Sequence, residues 1–176
     1  HNQNHDHDHD HDHEDEQHDH SHVDSRNSRL LTWALALTLA TPLGMQLNLS
    51  VETVQLPGLA GEFGVLPGHV ELLAALRPGV MRYRKDGQTL IAAIGQGYSE
   101  ADATHVRVIT EFFAKPEDVE VEQARADQQN AEARLKNAVL GEPDQLEAQS
   151  EYEWARARLE IAGSVVFDSS SDGVSL

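Results

Sequence analysis

The chain contains no cysteine, which excludes disulfides, thiolate metal sites and cysteine nucleophiles. It is also poor in cations: 13 Lys and Arg stand against 30 Asp and Glu, for a formal net charge of −17. Nucleic-acid binding needs clustered Lys and Arg to neutralise phosphates, and this balance argues against it. It argues equally against an anionic membrane surface. The most apolar run, Leu30 to Met45, is interrupted by Thr32, Thr38, Thr41 and Pro42 and falls short of the ~20 apolar residues needed to span a bilayer. Its flank is acidic and lacks a basic stretch, so it does not read as a signal peptide.

Catalytic signatures are missing as well. The glycines at 58, 61, 64 and 68 match neither a P-loop nor a dinucleotide fingerprint, and no Lys-Ser/Thr pair follows them. No Gly-x-Ser-x-Gly elbow occurs. Beyond residue 22 only His69 and His105 remain as histidines. His105 lies in a strand-like run and reads as a surface histidine. His69 follows Pro-Gly and reads as a turn residue bonding backbone groups, not as a general base. The acid pairs Glu117/Asp118 and Glu151/Glu153 fall on a helical arm, where a solvated face is the default. An enzyme reading finds no support, and no catalytic residue or metal ligand is assigned.

What is present is unevenly distributed. Residues 1–30 carry nine acids and two bases, residues 31–115 seven and six, and residues 116–176 fourteen and five. A polar leader, a near-neutral core and an acidic arm follow from this. Nine of the eleven histidines precede Val23, alternating with Asp from His5 to His13. The leader, residues 1–30, has too little apolar surface to offset the entropy of ordering and is expected to be disordered. Neutral imidazole binds Zn, Cu or Ni, so a metal-buffering tract is one reading of the leader; a solvated segment without a metal role is the other.

The core reads as short strands. Trp33, Leu35, Leu37 and Leu39 alternate with Ala34, Ala36, Thr38 and Ala40, which puts the first set on one strand face. Thr41-Pro42-Leu43-Gly44 is turn-like. Leu47, Leu49 and Val51 alternate again, whereas Val54 and Leu56 are out of phase, predicting a break or bulge near residues 50–53. A short apolar run from Val70 to Leu76 ends at the turn Arg77-Pro78-Gly79. Asp86-Gly87 predicts a hairpin across residues 80–94. Gly95-Gln96-Gly97-Tyr98 is a second irregular point, and Val106, Val108, Thr110 and Phe112 form a last strand. Many short strands with no helix between them predict an antiparallel β-sandwich over residues 31–114.

Lys115-Pro116 marks the start of an antiparallel two-helix hairpin over residues 115–163. Asp118 is expected to cap the first helix, with Glu120 and Glu122 in its first turn. Its stripe is Val121, Ala124, Ala131, Leu135 and Ala138. Leu140-Gly141-Glu142-Pro143 ends it, and Asp144 with Glu147 has the spacing of a capping box for the next helix. That helix carries Ala148, Tyr152, Ala155, Leu159 and Ala162 on one stripe. Alanine stripes bury little area, so the hairpin must lean on the sandwich, on itself or on a partner. The Ser- and Asp-rich residues 164–176 are expected to form a flexible tail.

The most informative stretch runs from Leu56 to His69. Six turn formers, Pro57, Gly58, Gly61, Gly64, Pro67 and Gly68, encode one backbone path. Glu62 is the only charge between Thr53 and Glu71, and a charge at the tip of a stiff loop points to an interface contact.

This stretch resembles the signature of the small central-stalk subunit of rotary ATP synthases, epsilon in bacteria and chloroplasts and delta in mitochondria. That signature is a Pro-Gly, a spacer, Gly-Glu-aromatic/aliphatic-Gly, an aliphatic pair and Pro-Gly-His, which Pro57 to His69 match. Leu72-Leu73, Leu76 to Gly79, Asp86-Gly87, Ile94 to Tyr98, Val106 and Val108 resemble its later elements in the same order, and the resemblance covers residues 33–163. It implies a β-sandwich followed by a helical hairpin, and a non-catalytic rotor subunit linking gamma to the c-ring, so that proton flow is coupled to ATP synthesis. It implies a c-ring contact at Gly61, Glu62 and Phe63, and structural turn positions at Pro57, Gly58, Gly64, Pro67, Gly68 and His69. The implied partners are the gamma subunit, the c-ring and, in mitochondria, a small additional stalk subunit, with the chain peripheral to the membrane. Some bacterial members bind ATP on the hairpin through Ile/Leu-Asp-x-x-Arg-Ala. The matching stretch Val121-Glu122-Gln123-Ala124-Arg125-Ala126 keeps only the Arg-Ala, so no cofactor is assigned. An inhibitory role of the hairpin is a further reading that the resemblance allows. A first residue that is His rather than Met fits removal of a targeting peptide. The expected place is therefore the matrix side of the mitochondrial inner membrane, with a bacterial or thylakoid membrane as the alternative.

Overall fold

A computed structural model of the chain describes residues 34–168. The leader with its metal-buffering reading, Trp33, and the tail from residue 169 onward lie outside the described residues. The strands run in the order β1 (Leu35–Thr41), β2 (Gly44–Val51), β3 (Thr53–Gly58), β4 (Gly61–Val65), β5 (Leu72–Leu76), β6 (Gly79–Lys85), β7 (Gln88–Ile94), β8 (Gly97–Ala101), β9 (His105–Thr110) and β10 (Phe113–Ala114). A single 3-10 turn, Pro116–Asp118, leads to the helices α1 (Val121–Asn137) and α2 (Pro143–Asp168). The architecture is a β-sandwich followed by two helices.

The strand order is β10-β7-β6-β3-β5-β8-β9-β1-β2, with β4 on β3. All pairs are antiparallel except β1 with β9. β3 joins two layers. Its first residues pair with β6, from Thr53↔Arg84 to Gln55↔Arg82, whereas its last, Gly58, pairs with Leu76 of β5. The core lies between the layers. Leu35, Leu37, Leu39, Val106 and Val108 enter it from one side, and Val54, Leu56, Val65, Met81, Ala92 and Ile94 from the other, all essentially inaccessible. The period-two alternation read in β1 and β9 is this inward set.

The phase change expected near residues 50–53 falls at Glu52, whose N–H donates to the Arg84 carbonyl at 2.7 Å and separates β2 from β3. A second irregularity, between Leu39 and Ala40 in the β1–β2 register, was not anticipated. The last strand is shorter than expected. Buried Thr110 donates its hydroxyl to the Gly95 carbonyl at 2.8 Å, the strand ends there, and Phe112 turns outward to stack on Trp154 with centroids 5.4 Å apart.

Val80 and Met81 of β6 and Ala92–Ile94 of β7 are buried, so this end of the strand pair is covered on both faces. Met81, Ala92 and Ile94 face the sandwich core, while Val80 and Ala93 meet Ala114 and, from α2, Ala157, Ile161 and Trp154. The helical arm is thus docked on one outer face of the sandwich. Arg77 bonds Glu153 and Arg82 bonds Glu160 at 3.1 Å, so cations of the sandwich hold acids of α2 at the rim of this contact. α1 packs mainly on α2, and the fully buried Ala124 and Ala131 mark that seam.

Four features of the hairpin differ from the sequence reading. Asp118 does not cap α1: its N–H donates to the Lys115 carbonyl at 3.0 Å, closing the 3-10 turn, and Glu120 takes the cap position without a side-chain bond. α1 stops at Asn137, so Ala138 is extended rather than helical. The Asp144/Glu147 capping box does not form, because Pro143, whose fixed φ suits a first helical position, places Asp144 inside α2, where it pairs with Arg134 at 2.8 Å. Finally, α2 continues to Asp168, past the expected start of the tail at residue 164. No proline interrupts it, Ser164 donates to the Glu160 carbonyl at 3.1 Å, and the helix absorbs the ~1 kcal/mol that Gly163 costs.

Ile161 is 0% exposed at the centre of the α2 contact. Ile161→Ala is expected to weaken docking of the arm by about 2–5 kcal/mol. Hydrogen exchange should show α2 amides losing protection while those of β1 and β9 keep theirs.

Candidate interaction surface

The β3–β4 hairpin runs from Val54↔Val65 to Gly58↔Gly61 with Leu59-Ala60 at its tip. Gly61 has φ +135°, a region that L side chains avoid. Gly58 is required for a different reason: a Cβ there would lie 2.5 Å from the Gly61 carbonyl oxygen and 2.9 Å from the Phe63 ring. A Cβ on Gly79 would likewise lie 2.7 Å from Cβ of Pro57. Pro57, Gly58 and Gly64 are therefore strand residues rather than turn residues, the first two placed by close packing and Gly64 without any near neighbour a Cβ would strike. Only Pro67 and Gly68 form a turn, with Gly68 at φ +87° and its N–H on the Ala103 carbonyl at 2.8 Å. His69 contacts the Val70 carbonyl through Nδ1 at 2.6 Å, the backbone-bonding role read from its position.

Of the residues assigned to the c-ring contact, Gly61 and Glu62 are exposed, whereas Phe63 is partly buried and packs against the core. Glu62 is not at the loop tip expected of it but on β4, opposite Pro57, and its carboxylate lies 3.8 Å from the Arg82 guanidinium. The exposed tip residue Leu59 was missed by the sequence reading.

Leu59 also ends a longer feature. Met45 pairs with Ala40, Ala40 with Ile109, Ile109 with Tyr98, and Tyr98 with Ala75. The Leu59 N–H then donates to the Ala75 carbonyl at 2.9 Å. Register partners share a face, so an apolar row crosses β2, β1, β9, β8 and β5 and reaches the hairpin tip. Met45, Tyr98 and Leu59 are 60%, 43% and 68% exposed. The outer face of β6–β7 is covered by α2; no described helix covers this one. The available signal was an apolar residue on the outward phase, such as Ile109 between buried Val108 and Thr110.

Below the row, Arg107 pairs with Glu100 at 2.8 Å. Asp102 closes the β8–β9 turn by accepting the N–H groups of Thr104 at 2.7 Å and His105 at 2.8 Å, which hold its carboxyl down at about 2. In the helical hairpin, a groove of about 420 Å³ is lined by Asp127, Asn130, Arg134, Glu151, Trp154 and Arg158. Its cations are already engaged: Arg134 by Asp144, Glu147 and Glu151, and Arg158 by Asp127 and the Trp154 ring. Arg125 is not part of the groove and pairs with Glu122 at 3.0 Å. Among the described residues no group of three or more His, Cys, Asp or Glu could hold a metal, and no helix is long and apolar enough to cross a membrane.

The chain is thus a β-sandwich with one outer face occupied by its own helical arm and the other carrying an exposed apolar row. Two consecutive family models match the chain: ATP synthase, Delta/Epsilon chain, beta-sandwich domain over residues 34–116, and ATP synthase, Delta/Epsilon chain, long alpha-helix domain over residues 117–163. The chain belongs to this family and is a non-catalytic subunit. It is 34% identical over 131 residues to the ATP synthase epsilon chain of Nitratidesulfovibrio vulgaris, covering 74% of this chain and 97% of that one. It is 37% identical over 118 residues to the ATP synthase epsilon chain of Synechococcus elongatus, covering 65% and 85%. Its fold is similar to that of a chain in the cryo-EM structure of Euglena gracilis mitochondrial ATP synthase (OSCP/F1/c-ring), with TM-score 0.62 and 22% identity across 74% of this chain and 81% of that one.

Two substitutions test the geometry. Gly58→Ala should destabilise the sandwich by about 1–3 kcal/mol through overpacking, read as a lowered denaturation midpoint. Asp102 has its folded pKa depressed, so its stabilisation is present above the unfolded value near ~4 and is lost as pH falls through about 2. Asp102→Asn should therefore lower Tm at neutral pH, and the gap to wild type should close as the pH is brought down through that window.

Proposed function

We propose that this chain is the rotor foot of a proton-translocating ATP synthase, linking gamma to the c-ring and passing ring rotation to the stalk. The observation that carries the reading is the continuity of the exposed apolar row with the Glu62 hairpin. One surface is greasy and broad, as a permanent protein contact requires; it runs into a stiff hairpin whose one charge, Glu62, stands on β4 beside the Leu59-Ala60 tip and suits a polar loop. The row is assigned to gamma, and Gly61 and Glu62, with Leu59, to the ring. Phe63 supports the tip from beneath. The expected mitochondrial location rested on the start of the chain and its leader, and the two sequence relatives above are bacterial, one of them cyanobacterial. The reading therefore places the chain at the periphery of an energy-transducing membrane, with the bacterial alternative favoured by those relatives.

Reconstitution of the synthase with two variants tests this. Tyr98→Asp should weaken binding to gamma by about 2 kcal/mol or more, roughly 30-fold. Leu59→Asp combined with Glu62→Lys, both exposed and outside the core, should leave the chain on gamma but sharply lower proton-coupled ATP synthesis. Normal coupling in that double variant would refute the ring assignment.

A further inference from the structure

Arg82 stands between two acids from different parts of the molecule. Its Nη1 is 3.8 Å from Oε1 of Glu62 on β4, and its Nη2 is 3.1 Å from Oε1 of Glu160 on α2. Both carboxylates are exposed, and no other acid pairs with Arg82 among the described residues. One guanidinium therefore serves the ring-facing hairpin and the helical arm together.

We propose that Arg82 is a shared cation that couples docking of α2 to the charge presented by Glu62. The inference rests on the reading of Glu62 as the ring contact. With α2 docked, Glu160 holds part of the Arg82 charge and Glu62 is left partly unpaired, free to meet a donor on the ring. When α2 loosens, Glu160 departs, Arg82 turns wholly to Glu62, and the hairpin is neutralised. Linkage makes the effect reciprocal: a ring donor that takes Glu62 releases Arg82 to Glu160 and tightens the arm. Exposed ion pairs are individually weak, so the coupling is a modest bias of about two- to fivefold, and salt should erase it.

Hydrogen exchange of the full chain at low ionic strength reads the relay without any partner. Glu62→Gln leaves Arg82 to Glu160 alone, and α2 amides should exchange about two- to fivefold more slowly. Glu160→Gln should speed them, and in an Arg82→Met background Glu62→Gln should have no effect. Unchanged α2 exchange in Glu62→Gln, or slowing that persists in Arg82→Met, overturns the relay. Binding of the chain–gamma complex to isolated c-ring reads the other direction. Glu160→Gln should weaken it by a similar factor, but only while Glu62 is present; no weakening, with Glu62→Gln itself effective, overturns the coupling. If Glu62→Gln shifts α2 exchange as expected yet binds the ring like wild type, the relay within the chain stands and the ring assignment of Glu62 falls.

Discussion

The sandwich depends on one close approach between backbones, at the end of β3. This strand changes partner within six residues, pairing with β6 at Thr53–Gln55 and with β5 at Gly58, and so holds two layers in one sheet. The switch leaves no space for side chains. Gly58 sits against the Gly61 carbonyl and the Phe63 ring, and Pro57 packs on Gly79. Proline cannot donate to the ladder, yet its carbonyl accepts the Arg77 N–H at 3.0 Å, which ties the start of β6 to the same point. Phe63, the core residues beneath it and the tip above it are positioned by this pivot.

The helical arm is held by a different balance. Its mutual contact is made largely of alanine, which brings the helices close but removes little apolar area from water. The larger contribution comes from Ile161, Ala157 and Trp154 against Val80, Ala93 and Ala114. The arm is acidic, and the near-neutral sandwich supplies the opposing charges, Arg77 to Glu153 and Arg82 to Glu160. The more exposed of the two, Arg82 with Glu160, contributes only about 0.2–1 kcal/mol. Packing therefore sets how tightly the arm binds, and the ion pairs set where it binds.

The fold was legible where one periodicity had one cause. β1 and β9 each bury a single face, and their alternation names the core residues directly; Ala124 and Ala131 did the same for the helix seam. It was not legible where two surfaces compete. α2 lies between another helix and a sheet, and the stripe Ala148, Tyr152, Ala155, Leu159, Ala162 hides a second face carrying Trp154, Ala157 and Ile161. The capping error at Asp144 has a similar origin: Asp suits the start of a helix, but the preceding Pro143 had already claimed that position. The charge at Glu62 was visible because its neighbours in sequence are uncharged, rich in glycine and proline, although its place on β4 opposite Pro57 was not. The apolar row was not, because its members come from five strands and meet only through sheet register.

That row and the tip differ in the mechanical character a rotor foot would need. A contact that transmits torque must not absorb it in a flexible loop. Here the tip is two residues long, and the chain on both sides of it is bonded into β3 and β4. Displacing Glu62 sideways would have to distort the ladder from Gly58↔Gly61 inward and press Phe63 against Gly58, where no free volume remains. The same hairpin is joined to β5 through Leu59 and Ala75, and β5 is the first strand of the layer bearing the row. A force applied at the tip thus reaches the broad apolar face through backbone hydrogen bonds across adjacent strands. Stiffness and exposed apolar area are supplied by different residues, which is why the glycine- and proline-rich stretch alone reveals only half of the surface.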